Sequence, residues 1–182
     1  WLPASAATAD AETWASRFAQ PFVAEGQVPP RVVPDEAALP FDRLHAPDGR
    51  PGSAGGELVS VVMPCYRPDA GLLASVRSIV EQTWGDLEIL VVDDASGPDF
   101  DPLFDTVAAL DDRVRLIRLE RNGGSYLARE AALAQARGSY VTFQDADDWS
   151  HPSRIEHQVE LLRGQRDGVS RSLALRAHDA GE

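Results

Sequence analysis

From Leu58 onward the chain alternates between short apolar runs and longer stretches whose apolar residues recur at helical spacing. Leu58-Val59-Ser60-Val61-Val62-Met63 is almost continuously apolar, as expected for a strand covered on both faces of a parallel sheet, and Pro64-Cys65-Tyr66-Arg67-Pro68 predicts its end. A helix is predicted from about Ala70 to Gln82, with Leu72, Val76, Ile79 and Val80 on its core face. Leu87 to Val92 reads as a second strand, Pro102 to Leu110 as a short helix, and Val114 to Leu119 as a third strand. Asn122-Gly123-Gly124-Ser125 predicts a tight turn, with Ser125 capping a helix to about Arg137 that turns Leu127, Ala131 and Ala134 inward and ends at Gly138. Tyr140 to Phe143 predicts the fourth strand. Pro152 opens a last helix with Ile155, Val159 and Leu162 as its buried stripe.

Strand and helix thus alternate four times, which argues for an α/β fold: a Rossmann-like, mostly parallel sheet with flanking helices. Residues 1–56 follow a different rule. They hold eight of the thirteen prolines and close on Pro51-Gly52-Ser53-Ala54-Gly55-Gly56, which is linker chemistry. Within them Ala11 to Gln20 predicts a short helix whose Trp14, Phe18 and Phe22 share a stripe suited to packing on a neighbouring surface. The folded domain is expected at 57–182.

The strands end in polar residues: Tyr66 and Arg67, then Asp93 and Asp94, then Asp145 and Asp147. Parallel strands bring such residues to one edge of the sheet, where ligands of this fold class bind. Asp145-Ala146-Asp147-Asp148 sets three carboxylates within four positions. It reads either as a solvated acidic turn or as oxygen donors for a hard divalent ion holding a phosphate-bearing ligand. A nucleoside diphosphate would use the whole edge. Tyr66 would lie against the base, Asp94 would accept from a base N–H or ribose hydroxyl, Asp145 from the ribose, and Asp147 would hold Mg2+ or Mn2+. The Asn122-Gly123-Gly124 turn and the helix after it offer N–H groups to an anion, with Arg129 one turn in. Two of these residues stay open: Arg129 also reads as a surface helix arginine, and Tyr66 as a half-buried ring at a strand end. Asp93 reads as a structural turn carboxylate, and Asp148 as a cap of the following helix or a member of the metal shell.

Charge and cysteine content narrow the partners. A formal charge of −12, with 17 arginines and no lysine, excludes generic binding to nucleic acid or anionic membrane. Cys65 is the single cysteine, so no internal disulfide forms, and a reducing compartment is expected. No apolar run approaches the roughly 20 residues of a membrane span, and Asp10 and Glu12 stand where a secretory signal would be basic and then apolar. The expected location is the cytoplasm, free or peripheral to the membrane.

Three strings together, Val59 to Arg67, Glu88 to Ser96 and Gly138 to Trp149, closely resemble the family 2 glycosyltransferases of GT-A fold. The resemblance covers roughly residues 58–163, the nucleotide-sugar half of that family's domain. It implies a nucleotide-sugar donor, usually a UDP-sugar, a divalent Mn2+ or Mg2+, and transfer with inversion to a glycan, lipid-linked or protein acceptor, as in cell-surface polysaccharide synthesis. By motif, Tyr66 and Asp94 match the nucleoside-holding positions and Asp145 and Asp147 the Asp-x-Asp pair, with Asp147 the metal ligand. Asn122 to Glu130 resembles the family's glycine turn and Ala-Arg-Asn, except that Glu130 replaces Asn. The family's catalytic base comes from its second half. Only 34 residues follow Asp148, and Asp179 and Glu182 match no base motif. The expectation is therefore a donor half, completed by a missing C-terminal half or a partner domain, or else a non-catalytic nucleotide-sugar-binding module. A receiver domain is excluded by the lack of lysine, a dinucleotide oxidoreductase by the lack of Gly-x-Gly-x-x-Gly after the first strand, and a dehalogenase-type phosphatase by the late position of Asp-x-Asp.

Overall fold

The computed structural model describes residues 8–32, 44–45, 56–165 and 168–171. The rest of the proline-rich linker and the tail with Asp179 and Glu182 lie outside the described residues, as does the side chain of Trp14. The centre is a parallel sheet of β3 (Val59–Cys65), β4 (Leu87–Asp93), β5 (Val114–Arg118) and β6 (Tyr140–Phe143), in the order β5-β4-β3-β6. Helices α2 (Gly71–Val80), α3 (Asp101–Ala108), α4 (Gly124–Leu133) and α5 (Arg154–Leu162) follow the four strands in turn. Helix α1 (Thr8–Ala24) and a short antiparallel pair, β1 (Arg31–Val32) and β2 (Leu44–His45), precede them. No helix among the described residues is long and apolar enough to cross a membrane.

The two faces of the sheet are unequal. On one, Val61, Met63, Ile89 and Val91 pack with Leu72, Val76 and Ile79 of α2, Phe104 and Val107 of α3, and Ile155 and Val159 of α5. On the other, Val62, Leu90, Val92 and Ile117 pack with Ala128 and Ala132 of α4, with Leu119 and Ala136 at the margin. Alanines let the α4 backbone approach the sheet closely, which larger side chains would prevent.

Three expectations are corrected here. The first strand continues past Met63 to Cys65, with Pro64 opposite Val92. The Val62 carbonyl accepts from Gln144 on the β6 side, so Pro64, two residues on, also faces β6, which has ended by then; its missing N–H leaves no bond unmade. Helix α4 starts at Gly124 and stops at Leu133, so Ser125 lies inside the first turn and Gly138 does not end the helix. Ala128 and Ala132 are buried while Leu127 and Ala134 are exposed, a face one residue out of phase with expectation, about 100° of rotation. Gly138 is needed instead for close approach: a Cβ there would lie 2.6 Å from Ser60 N and 2.7 Å from Leu58 O. Helix α5 starts at Arg154, after Pro152, with Ser153 in the cap position, so Asp148 is not its cap.

Candidate functional site

Because all four strands are parallel, the chain leaves each at the same edge, and the predicted site residues gather there. The loop after β4 is pinned first. Asp93 Oδ1 accepts the Ser96 N–H at 2.8 Å, Arg118 Nη1 lies 3.5 Å from its other oxygen, and Ser96 Oγ accepts the Arg67 N–H at 2.8 Å. Asp93 is thus the structural turn carboxylate that the sequence suggested. Arg67 and Ala95 take positive φ, 47° and 59°, strained positions for side-chain-bearing residues, held by these bonds. Tyr66 stands about half exposed at the end of β3 with the Arg67 guanidinium 5.2 Å from its ring centre.

Asp94 is only 2% exposed, and both its oxygens are engaged. Oδ1 accepts the Gly123 N–H at 2.8 Å and Oδ2 the Gly124 N–H at 2.7 Å, while its own carbonyl accepts from Asn122 Nδ2 at 3.2 Å. The glycine turn therefore does bind an anion, and the anion is Asp94. It caps α4 from a distant strand, which is why no local side chain caps that helix. Gly124 has φ +81°, a value glycine adopts without strain.

Helix α4 carries the connection onward. One turn in, Arg129 Nη2 meets Asp145 Oδ1 at 2.9 Å, with its guanidinium 5.4 Å from the Phe143 ring and its buried Nε without a partner among the described residues. Asp94 and Asp145 thus hold the same helix, from strands on either side of β3. With neighbouring strands about 4.8 Å apart, these acids are spaced by roughly 10 Å, the scale of a nucleoside diphosphate.

The acidic turn rests on residues that sequence reasoning did not single out. Gln144 is buried; its Nε2 donates to the Asp148 carbonyl at 2.8 Å, and its Oε1 accepts from Ser150 Oγ at 2.6 Å. Ser75 of α2 donates to the Asp145 carbonyl at 3.0 Å, and Arg154 reaches Thr142 and Gln144 from the other side. Burial pushes the Arg154 guanidinium down to about 10, with Asp148 opposing it. The sequence signal was present but weak: one amide at the end of a strand, just before the acids. Asp147 projects from this platform and is exposed.

The chemistry open to this edge follows. Among the described residues no group of three or more His, Cys, Asp or Glu is gathered for a metal. Asp145 and Asp147 offer two carboxylates, which fits an Mg2+- or Mn2+-type ion that takes one or two protein oxygens and completes its shell with phosphates and water. Cys65 is buried, and burial, then Asp93 and Asp94, push its thiol up to about 12, which disfavours the nucleophilic thiolate near neutrality.

Known proteins resemble this chain over part of its length. GlyG, a glycosyltransferase of Streptococcus pneumoniae, is 36% identical over 100 residues, covering 55% of this chain and 33% of its own. WfgD of Escherichia coli, a UDP-Glc:alpha-D-GlcNAc-diphosphoundecaprenol beta-1,3-glucosyltransferase, is 33% identical over 105 residues, covering 58% and 41%. The crystal structure of S. aureus TarS 1-349 in complex with UDP-GlcNAc superimposes with a TM-score of 0.52 at 26% identity, over 58% of this chain and 31% of that one. The chain spans less than half the length of these relatives. Residues 60–176 match the model of glycosyl transferase family 2, and the chain belongs to that family.

Proposed function

We propose that this chain is the donor-binding part of an inverting, metal-dependent glycosyltransferase that takes a nucleotide sugar, a UDP-sugar above others. The observation that carries the reading is the bracketing of α4 by Asp94 and Asp145, which joins three strand-end loops into one rim. Two bonds leave the Asp94 carboxylate about two of its four acceptor positions, enough to receive a base N–H while staying fixed. Tyr66 supplies a face for the base. Asp145 accepts from the ribose, and Arg129 is within reach of a phosphate once released from Asp145. Asp147, with Asp145, would hold Mn2+ or Mg2+, which supplies positive charge to a leaving diphosphate. The UDP-GlcNAc bound by TarS and the UDP-Glc named for WfgD support a uridine donor.

No residue of residues 57–182 is assigned as the base that deprotonates the acceptor. In this reading that base comes from an acceptor half or partner domain; without one, the same rim serves a non-catalytic nucleotide-sugar-binding module. The acceptor is a glycan, a lipid-linked sugar or a protein, and the location is cytoplasmic or peripheral to the membrane. Thermal unfolding with UDP-, GDP- and dTDP-sugars, with and without Mn2+, tests the donor. A ligand at a hundred times its Kd adds about 2.7 kcal/mol, so a UDP-sugar with Mn2+ raises Tm by several degrees. A Tm that no sugar nucleotide moves overturns the reading.

A further inference from the structure

The family match begins at residue 60, yet the segment from α1 to Arg31 reaches the loop that follows the acidic turn. Phe22 stacks on the His151 imidazole, with centroids 5.3 Å and planes 21° apart, and Trp149 meets the same ring edge-on at 6.3 Å. His151 Nε2 lies 2.8 Å from the Val28 carbonyl, and the Ser153 N–H donates to Nδ1 at 3.3 Å. The Val28 carbonyl can only accept, so in the neutral ring the single proton sits on Nε2, and Nδ1 accepts from the Ser153 N–H and from Ser153 Oγ at 2.9 Å. Gln27 Nε2 adds a 3.5 Å contact with His157 Nδ1 of α5. From the core side, Gln82 Nε2 donates to the His151 carbonyl at 2.8 Å and the Thr83 N–H to the Pro152 carbonyl at 2.8 Å. The loop is gripped from both sides.

We propose that the segment Thr8–Arg31 is a built part of the donor site, and that His151 is the positioning residue through which it holds the turn Asp145–Trp149 ready for the nucleotide sugar. This rests on the donor-binding reading above. His151 fixes the end of a short loop whose other end is the strand end at Phe143. Between them, the Asp148 N–H bonds the Asp145 carbonyl and the Ser150 N–H bonds Ser78 Oγ, so loss of the grip at His151 loosens the carboxylates four to six residues upstream. The grip also depends on pH. Burial pushes the imidazole down, against the pull of the Val28 carbonyl, and His157 is the titratable group that acts on it from α5; Arg154 and Asp148 act on each other. A proton on Nδ1 would turn away the Ser153 N–H at 3.3 Å and leave Ser153 Oγ, 2.9 Å away, as its acceptor. The native value lies below the unfolded one of about 6.5, so the grip is complete above that pH and is lost as pH falls toward the native value.

The test uses the full chain and four proteins: wild type, Phe22→Ala, His151→Ala and His151→Gln. UDP-GlcNAc affinity with Mn2+ is measured from about pH 5 to 8, a range in which its diphosphate diester does not titrate. Hydrogen exchange at the Asp148 and Ser150 amides is followed without ligand. Both alanine variants should weaken binding about tenfold and speed exchange several-fold. His151→Gln, whose amide still donates to Val28, should recover most of the affinity and lose the wild type's fall toward acid pH. Unchanged affinity and exchange in Phe22→Ala overturn the proposal. If the wild type binds no sugar nucleotide, the donor-binding reading fails instead, and the exchange rates in Phe22→Ala still decide whether the segment holds the turn.

Discussion

Arg129 Nη2 lies 2.9 Å from Asp145 Oδ1, so the first carboxylate of the Asp-x-Asp pair holds a cation of the protein's own. The pair is half exposed and contributes at most about 1 kcal/mol to stability. Arg129→Ala should therefore change the unfolding free energy by less than about 1 kcal/mol. If the guanidinium exchanges Asp145 for a phosphate, calorimetry should show UDP-sugar affinity falling about tenfold. Affinity that holds or rises would mean that Arg129 only competes with the metal for Asp145.

Asp94 combines two tasks, and two substitutions separate them. Asp94→Ala removes both acceptors from the Gly123 and Gly124 N–H groups, and the lost cap and unpaired donors should cost about 1–3 kcal/mol in denaturant unfolding. Asp94→Asn keeps one acceptor and should cost less, yet it should weaken uridine binding about tenfold, because an amide supplies one oxygen where three bonds are needed. Full uridine affinity in Asp94→Asn would reduce this residue to a helix cap.

Glu88 sets the response to acid. It is 2% exposed at the second position of β4. Burial pushes its carboxyl up, but bonds from Ser60 Oγ at 2.7 Å, Arg137 N at 2.6 Å, Arg137 Nε at 2.9 Å and Arg115 Nη1 at 3.0 Å outweigh this and bring it down to about 2. Its native value lies below its unfolded value, so the stability it contributes is present above about pH 4.5 and lost as pH falls toward 2, on the order of 3 kcal/mol in all. Glu88→Gln should flatten acid unfolding in that window and lower stability at neutral pH. An unchanged acid transition would contradict the account.

The same residue marks where reading the sequence stops. Strands β3 and β4 were legible because they are buried on both faces, which leaves apolar runs broken only by Ser60 and Glu88 before the strand ends. The Asp-x-Asp turn was legible because three acids in four positions demand a cation or water. Glu88 stood inside such a run and gave no sign that Ser60, Arg115 and Arg137, each 27 to 49 residues away, would meet it. Local spacing points to Ser125 as the cap of α4, whereas Asp94, about thirty residues upstream, supplies it. That choice moved the start of the helix and turned Ala128 and Ala132, rather than Ala131 and Ala134, toward the sheet. Local propensity finds elements; pairings across the chain fix their phase and their caps. The packing of Phe22 on a neighbouring surface was expected, whereas its partner His151 was not.

The carboxylate that most directly decides the account is Asp147, exposed at the tip of the turn and free to change without disturbing the core. Titration calorimetry of a UDP-sugar into wild type and Asp147→Asn, each with and without Mn2+, should show Mn2+-dependent binding in the wild type only, with equal unfolding free energies. Equal affinity of the two proteins in the presence of Mn2+ would contradict the rim as a metal-bridged sugar-nucleotide site.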